Sequence, residues 1–120
     1  MQDFRNIIAW QKSHEFVLTV YKLTKDFPSA EQFGVTAQLR RAAISISSNI
    51  AEGSCRGSDK DFARFLQMSM GSASEVDYLL ELSHDLGYLS EVDYVLASTS
   101  ISEIKRILAS FIRTLTKGVF

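Results

Sequence analysis

Few residues in this chain have types and spacing that chemistry could use. Glu81-Leu82-Ser83-His84 puts a carboxylate and an imidazole three positions apart, on one face of a helix. That is one half of the inward-facing ligand set of a carboxylate di-metal bundle, which takes two Glu-x-x-His pairs and two further glutamates. The only other histidine, His14, has Gln11 where the second glutamate would stand. The pair therefore reads as solvated surface near a helix end, and no metal is expected. Cys55, the only cysteine, has the Arg56 charge beside it, which favours a thiolate, but no histidine lies nearby in sequence. Gly71-Ser72-Ala73-Ser74 falls in mid-helix, not at the strand-to-helix turn of a serine nucleophile. No zincin motif or phosphate-cradling glycine loop occurs. The residues point away from an enzyme and away from a cofactor.

Two further groupings would bind rather than react. Arg41, Ser45, Asn49 and Glu52 recur at steps of four, four and three and so share a helix face. They would form either a binding face or a structural network that fixes register. The network is the simpler reading, because buried polar groups must find partners and these four can supply one another. The second grouping is a set of cations, Arg5, Arg56, Lys60, Arg64, Arg113 and Lys117, whose meaning depends on where the fold places them.

The elements that place them are helices. One proline and six glycines in 120 residues are few for a sandwich or barrel, while 46% hydrophobic residues are enough for one core. A first helix is expected over 6–25, with Ala9, Phe16, Val20 and Leu23 as its stripe, and it ends before Pro28. Residues 30–34 read as a turn. A second helix is expected over 35–54, on Val35, Leu39, Ala42, Ile46 and Ile50, with Gly53 and Gly57 at its end. Ser58 caps a third, with Asp59 and Asp61 in its first turn, along Phe62, Leu66, Ser69, Ala73, Val76 and Leu80 to Gly87. Ser90, with Asp93 three residues on, caps a fourth, whose seam is Ala97, Ile101, Ile104, Leu108, Phe111 and Leu115.

Short loops make neighbouring helices antiparallel, so the expected fold is all-α, one antiparallel up-down-up-down four-helix bundle over 1–120. The small-residue run Ser45 to Asn49 and the patch Ser69 to Ser74 are expected to face each other and let their helices approach closely. Phe65, Met68, Tyr78, Ile107, Ile112 and Val119 lie off or beside the seams. They mark either a wide core stripe or an outer interface.

Net charge is −1, from 13 basic and 14 acidic residues, but the charges are segregated. Glu75 to Glu103 holds seven acidic residues and no basic one; Lys105 to Lys117 holds four basic residues and no acidic one. Folded up and down, the six cations named above gather at one end, against Asp3, Glu52, Asp59 and Asp61. The other end collects Asp26, Glu31, Asp77, Glu81, Asp85, Glu91 and Asp93, against Lys22, Lys25, Arg40 and Arg41. Copies aligned side by side would stack their basic ends into one face able to hold nucleic-acid backbone. No apolar run reaches the length of a membrane span, the N-terminus does not read as a signal peptide, and one cysteine fits a reducing cytoplasm.

Several stretches carry a family resemblance. They are Phe4, Ala9-Trp10-Gln11-Lys12, Tyr21, Phe27-Pro28, Glu31 and Gly34. Most specific are Gln38-Leu39-Arg40-Arg41-Ala42-Ala43, Ser45-Ile46 and Asn49-Ile50-Ala51-Glu52-Gly53, followed by Arg56, Phe62, Phe65-Leu66, Gly71-Ser72 and Glu75. In order and spacing the chain resembles the small four helix bundle protein family, first noted in intervening sequences of bacterial 23S ribosomal RNA genes. Ser47 departs from the pattern, since relatives often carry proline there. The resemblance implies an up-down bundle, homo-oligomers, notably pentamers, and no catalytic activity. Related bundles are accessory proteins of diversity-generating retroelements, where a basic pentamer engages nucleic acid and a reverse transcriptase; those relatives are more basic than this chain. Two functions follow as expectations: a homo-oligomeric RNA- or DNA-binding accessory protein, or an oligomeric scaffold that binds only protein.

Overall fold

Side-chain caps set the starts of three of the four long helices. A computed structural model describes residues 3–117 and contains α1 (Ile8–Thr24), α2 (Val35–Ser54), α3 (Asp59–Asp85) and α4 (Glu91–Thr116). Single turns of 3-10 helix at Phe4–Asn6 and Ser29–Glu31 precede α1 and α2. The Ser58 hydroxyl accepts from the Asp61 backbone N–H, and Ser90 accepts from Asp93 N–H, both at 3.1 Å. Each satisfies a donor that the first helical turn leaves without a partner. Gly34, before α2, has no side chain to offer, and Glu31 Oε1 reaches the Val35 N–H instead, at 3.3 Å. Gly87 takes φ +81° in the turn between α3 and α4, a conformation that side chains with a Cβ rarely adopt.

α1 packs on α2 and α4, α2 on α3, and α3 on α4, which is the expected up-down-up-down square. The rod measures 46 × 21 × 21 Å. Its core is built from the stripes read in the sequence. Ala9, Phe16 and Val20 come from α1, and Leu39, Ala42, Ile46 and Ile50 from α2. Phe62, Leu66, Ala73, Val76 and Leu80 come from α3, and Ala97, Ile101, Ile104 and Leu108 from α4. Leu23 and Val35, expected in the stripes of α1 and α2, and Phe111 and Leu115, expected to continue the last seam, are only half-buried. Along that seam the core narrows to an edge-to-face contact of Phe111 with Phe62, 5.2 Å between ring centres.

The closest pair is α2 and α3, where the two small-residue patches meet. Ser69, fully buried, donates its hydroxyl to the Ile46 carbonyl at 2.8 Å, and the Ser72 hydroxyl lies 2.9 Å from that of Ser45. At Gly53 an added Cβ would lie 2.7 Å from the Phe62 ring and 2.8 Å from Phe65 Cβ. The serines and the glycine are thus the condition of the approach, which explains poor helix formers inside a helix.

The apolar residues off the seams divide. Phe65 is buried, Ile107 and Ile112 are half-buried, Met68 and Tyr78 are exposed, and Val119 lies outside the described residues. Among the described residues no helix is long and apolar enough to cross a membrane.

Candidate interaction surfaces

The six cations do gather at one end, but carboxylates accompany three of them. That end is made by the turn before α1, the α2–α3 connection and the end of α4. Arg5 pairs with Asp3 at 3.2 Å. Arg64 pairs with Asp61 at 3.0 Å, and Arg56 lies 3.9 Å from the other oxygen of the same carboxylate. Both guanidiniums also stack on the Phe65 ring, at 4.5 and 4.9 Å. The Asp3 carboxyl is held below its usual pKa, chiefly because it accepts the Arg5 backbone N–H. Lys60, Arg113 and Lys117 are exposed and make no ion pair with another described residue. Lys60 and Arg64 border an open cleft of about 390 Å³ between α3 and α4, floored by Ala63 and Ile112. The charge available there is therefore smaller than the residue count implies.

The four-residue network expected on α2 is smaller and differently partnered. Asn49 donates its amide to the Ser45 carbonyl at 2.9 Å and to the Ser45 hydroxyl at 3.1 Å, and Ser72 of α3 completes the group. Arg41 and Glu52 are exposed and make no side-chain hydrogen bond with a described residue, so they are not part of it. Helical spacing put them on the same side of α2, but a face wide enough to hold all four reaches past the α3 contact into solvent. Arg40 is the arginine that docks internally. Its Nε donates to the Thr24 hydroxyl at 2.8 Å, and its guanidinium lies over the Tyr21 ring at 4.4 Å. The arginine pair in the sequence did not say which member would turn inward.

His84 is tied to α4. Its Nε2 lies 2.7 Å from Glu91 Oε2, and its ring stacks on Tyr94 at 4.5 Å. Glu81 and Cys55 are exposed, and among the described residues no three of His, Cys, Asp and Glu converge on one point.

Two apolar features stand uncovered at the opposite end. Phe33, just before α2, is 89% exposed. It borders an open groove of about 460 Å³ along α1 and α2, lined also by Tyr21, Thr36, Arg40, Arg41 and Ile44. The Thr36 hydroxyl in that lining is buried and has no hydrogen-bond partner. On α4, Val92 (68% exposed), Val95 and Leu96 (63%) stand on the side away from buried Ala97 and Ile101. Neither face was read from the sequence. Phe33 belongs to no periodic stripe, and Val92 to Leu96 precede the strong seam of α4.

A family model described as 23S rRNA-intervening sequence protein matches residues 5–110. A crystal structure from Bacteroides thetaiotaomicron, of a protein of unknown function in the S23 ribosomal protein family, superposes with a TM-score of 0.81 at 27% identity. The match covers 88% of this chain and 96% of that one. No curated protein sequence matches.

Proposed function

We propose that this chain, which belongs to the 23S rRNA-intervening sequence protein family, is a non-catalytic building block whose copies stand side by side as a homo-oligomer. One observation carries the reading: separate apolar faces, on α4 and beside α2, are left uncovered at the same end of the bundle. A monomer gains nothing from exposing Phe33, Val92 and Leu96 together, because apolar surface in water costs about 25 cal/mol per Å². Among the described residues, no three of His, Cys, Asp and Glu converge on one point. The reading is tested by the mass of the free protein in solution; a monomer at every concentration would sink it.

A second reading is favoured by the free cations. Assembly side by side would bring Lys60, Arg113 and Lys117 of every copy, with the Asp61-paired Arg64 beside them, to one rim, a face for RNA or DNA backbone. Fluorescence anisotropy with structured RNA and duplex DNA across a salt series tests it. Binding that weakens steeply with salt and is lost when Lys60, Arg64 and Arg113 become Glu supports phosphate contacts, since the slope counts the phosphates neutralised. Flat curves leave the scaffold that binds protein only.

A further inference from the structure

We infer that the assembly is held by two different surfaces: the basic groove around Phe33 on one copy receives the acidic apolar stripe of α4 from the next. The inference rests on the homo-oligomer proposed above and names its contact. The groove offers an uncovered phenyl ring, the Tyr21 ring, Ile44 and a buried Thr36 hydroxyl without a partner. Its charged members are Arg40 and Arg41, and Lys22 and Lys25 are exposed close by at the end of α1. The stripe of Val92, Val95 and Leu96 is flanked by Glu91 and Asp93, both exposed, with exposed Asp85 just across the turn. The charged side chains that line the groove are basic, with exposed Asp26 beside Lys25 and the Glu31 carboxylate engaged by Val35 and Tyr88, and the charges that flank the stripe are acidic.

Charge on the groove's lining favours the pairing. Groove against groove would set Arg41 against Arg41, and stripe against stripe would set carboxylates together. Like charges brought to one interface are repelled, whereas groove against stripe pairs them. Height along the rod agrees. The groove follows the first turns of α2 and the stripe the first turns of α4, and in an up-down bundle these two helices run the same way. The surfaces therefore lie at one level on different sides of the rod. A head-to-tail contact between such surfaces stands copies side by side, and it closes into a ring when the rotation permits. The basic rims then share the opposite end.

Two substitutions test the pairing, both at side chains that add nothing to the core: Phe33→Asp on the groove and Leu96→Arg on the stripe. Circular dichroism checks that each variant folds. Sedimentation velocity of wild type, each variant and their equimolar mixture reads the assembly. Each variant alone is expected to sediment as a monomer. The mixture is expected to regain a species of at least twice the monomer mass, because one variant keeps an intact stripe and the other an intact groove. Wild-type oligomers that persist in both variants overturn this contact and leave the homo-oligomer standing. Loss of assembly in one variant only, or a mixture that stays monomeric, overturns the head-to-tail pairing. A monomeric wild type overturns both readings.

Discussion

Tyr88, in the turn between α3 and α4, donates its hydroxyl to Glu31 Oε2 at 2.8 Å, across 57 positions of sequence. The other oxygen of Glu31 accepts the Val35 N–H. One carboxylate therefore caps α2 and fastens the α3–α4 turn to it. The ring of Tyr88 adds a tilted contact with Phe27, 5.5 Å between centres. This cluster stands beside the groove around Phe33.

The Tyr88 phenol has a pKa raised above its ordinary value of about 10, first because it donates to Glu31, then by desolvation and the Glu31 charge. The neutral phenol is thus favoured by the folded state. Its contribution is complete below about pH 10 and is lost as pH rises through the higher folded value. Denaturation followed from neutral to strongly alkaline pH should show this loss, and Tyr88→Phe should remove that part of the pH dependence. An unchanged alkaline limb in Tyr88→Phe would show that the hydrogen bond is not formed in solution.

Gly53→Ala should destabilise the fold by about 1–3 kcal/mol, the usual cost of forcing atoms into a packed contact. The new Cβ would meet the Phe62 ring and Phe65 Cβ, and only separation of α2 from α3 relieves both. Gly71→Ala is the control. Nothing lies within 4 Å of its added carbon, so it should be neutral or stabilising, as alanine is the better helix former. Urea denaturation of the two variants would separate them. Equal stabilities would contradict the close approach.

Ser69→Ala should cost about 1 kcal/mol, the net worth of a buried hydrogen bond. Glu52→Ala, at an exposed side chain without a partner among the described residues, should stay within about 0.5 kcal/mol. A large effect at Glu52 would restore it to the polar network from which the structure separates it. Thermal denaturation suffices for both.

Arg40→Ala should destabilise more than Lys25→Ala, although both change one cation at the same end of the rod. Arg40 loses its bond to Thr24 and its stacking on Tyr21, the latter worth about 0.5–1 kcal/mol at an exposed site. Lys25 is exposed. Similar denaturation midpoints for the two variants would mean that the Arg40 contacts contribute nothing.

Much of the fold was legible because helical period and caps are local. Ser58 and Ser90 act as read, α2 begins and ends where expected, and α1 begins two residues later than expected. The facing serines of α2 and α3 were legible too, since poor helix formers in mid-helix need a packing reason. The capping role of Glu31 and the inward turn of Arg40 were not. Each depends on a partner from another helix or loop, and spacing along one helix cannot say which of two adjacent side chains reaches it. Arg41 and Glu52 show the same limit, since a shared helix face does not place its edges in the core. The surfaces on Phe33 and Val92 to Leu96 stayed hidden because they interrupt no pattern. Only exposure distinguishes them from core residues of the same type.

The most direct test is the mass of the wild-type protein by sedimentation equilibrium at neutral pH and moderate salt. The account predicts an integral multiple of 13.5 kDa that persists on dilution through the micromolar range. A single species at 13.5 kDa throughout would contradict it and leave the exposed faces of α2 and α4 without copies of this chain to cover them.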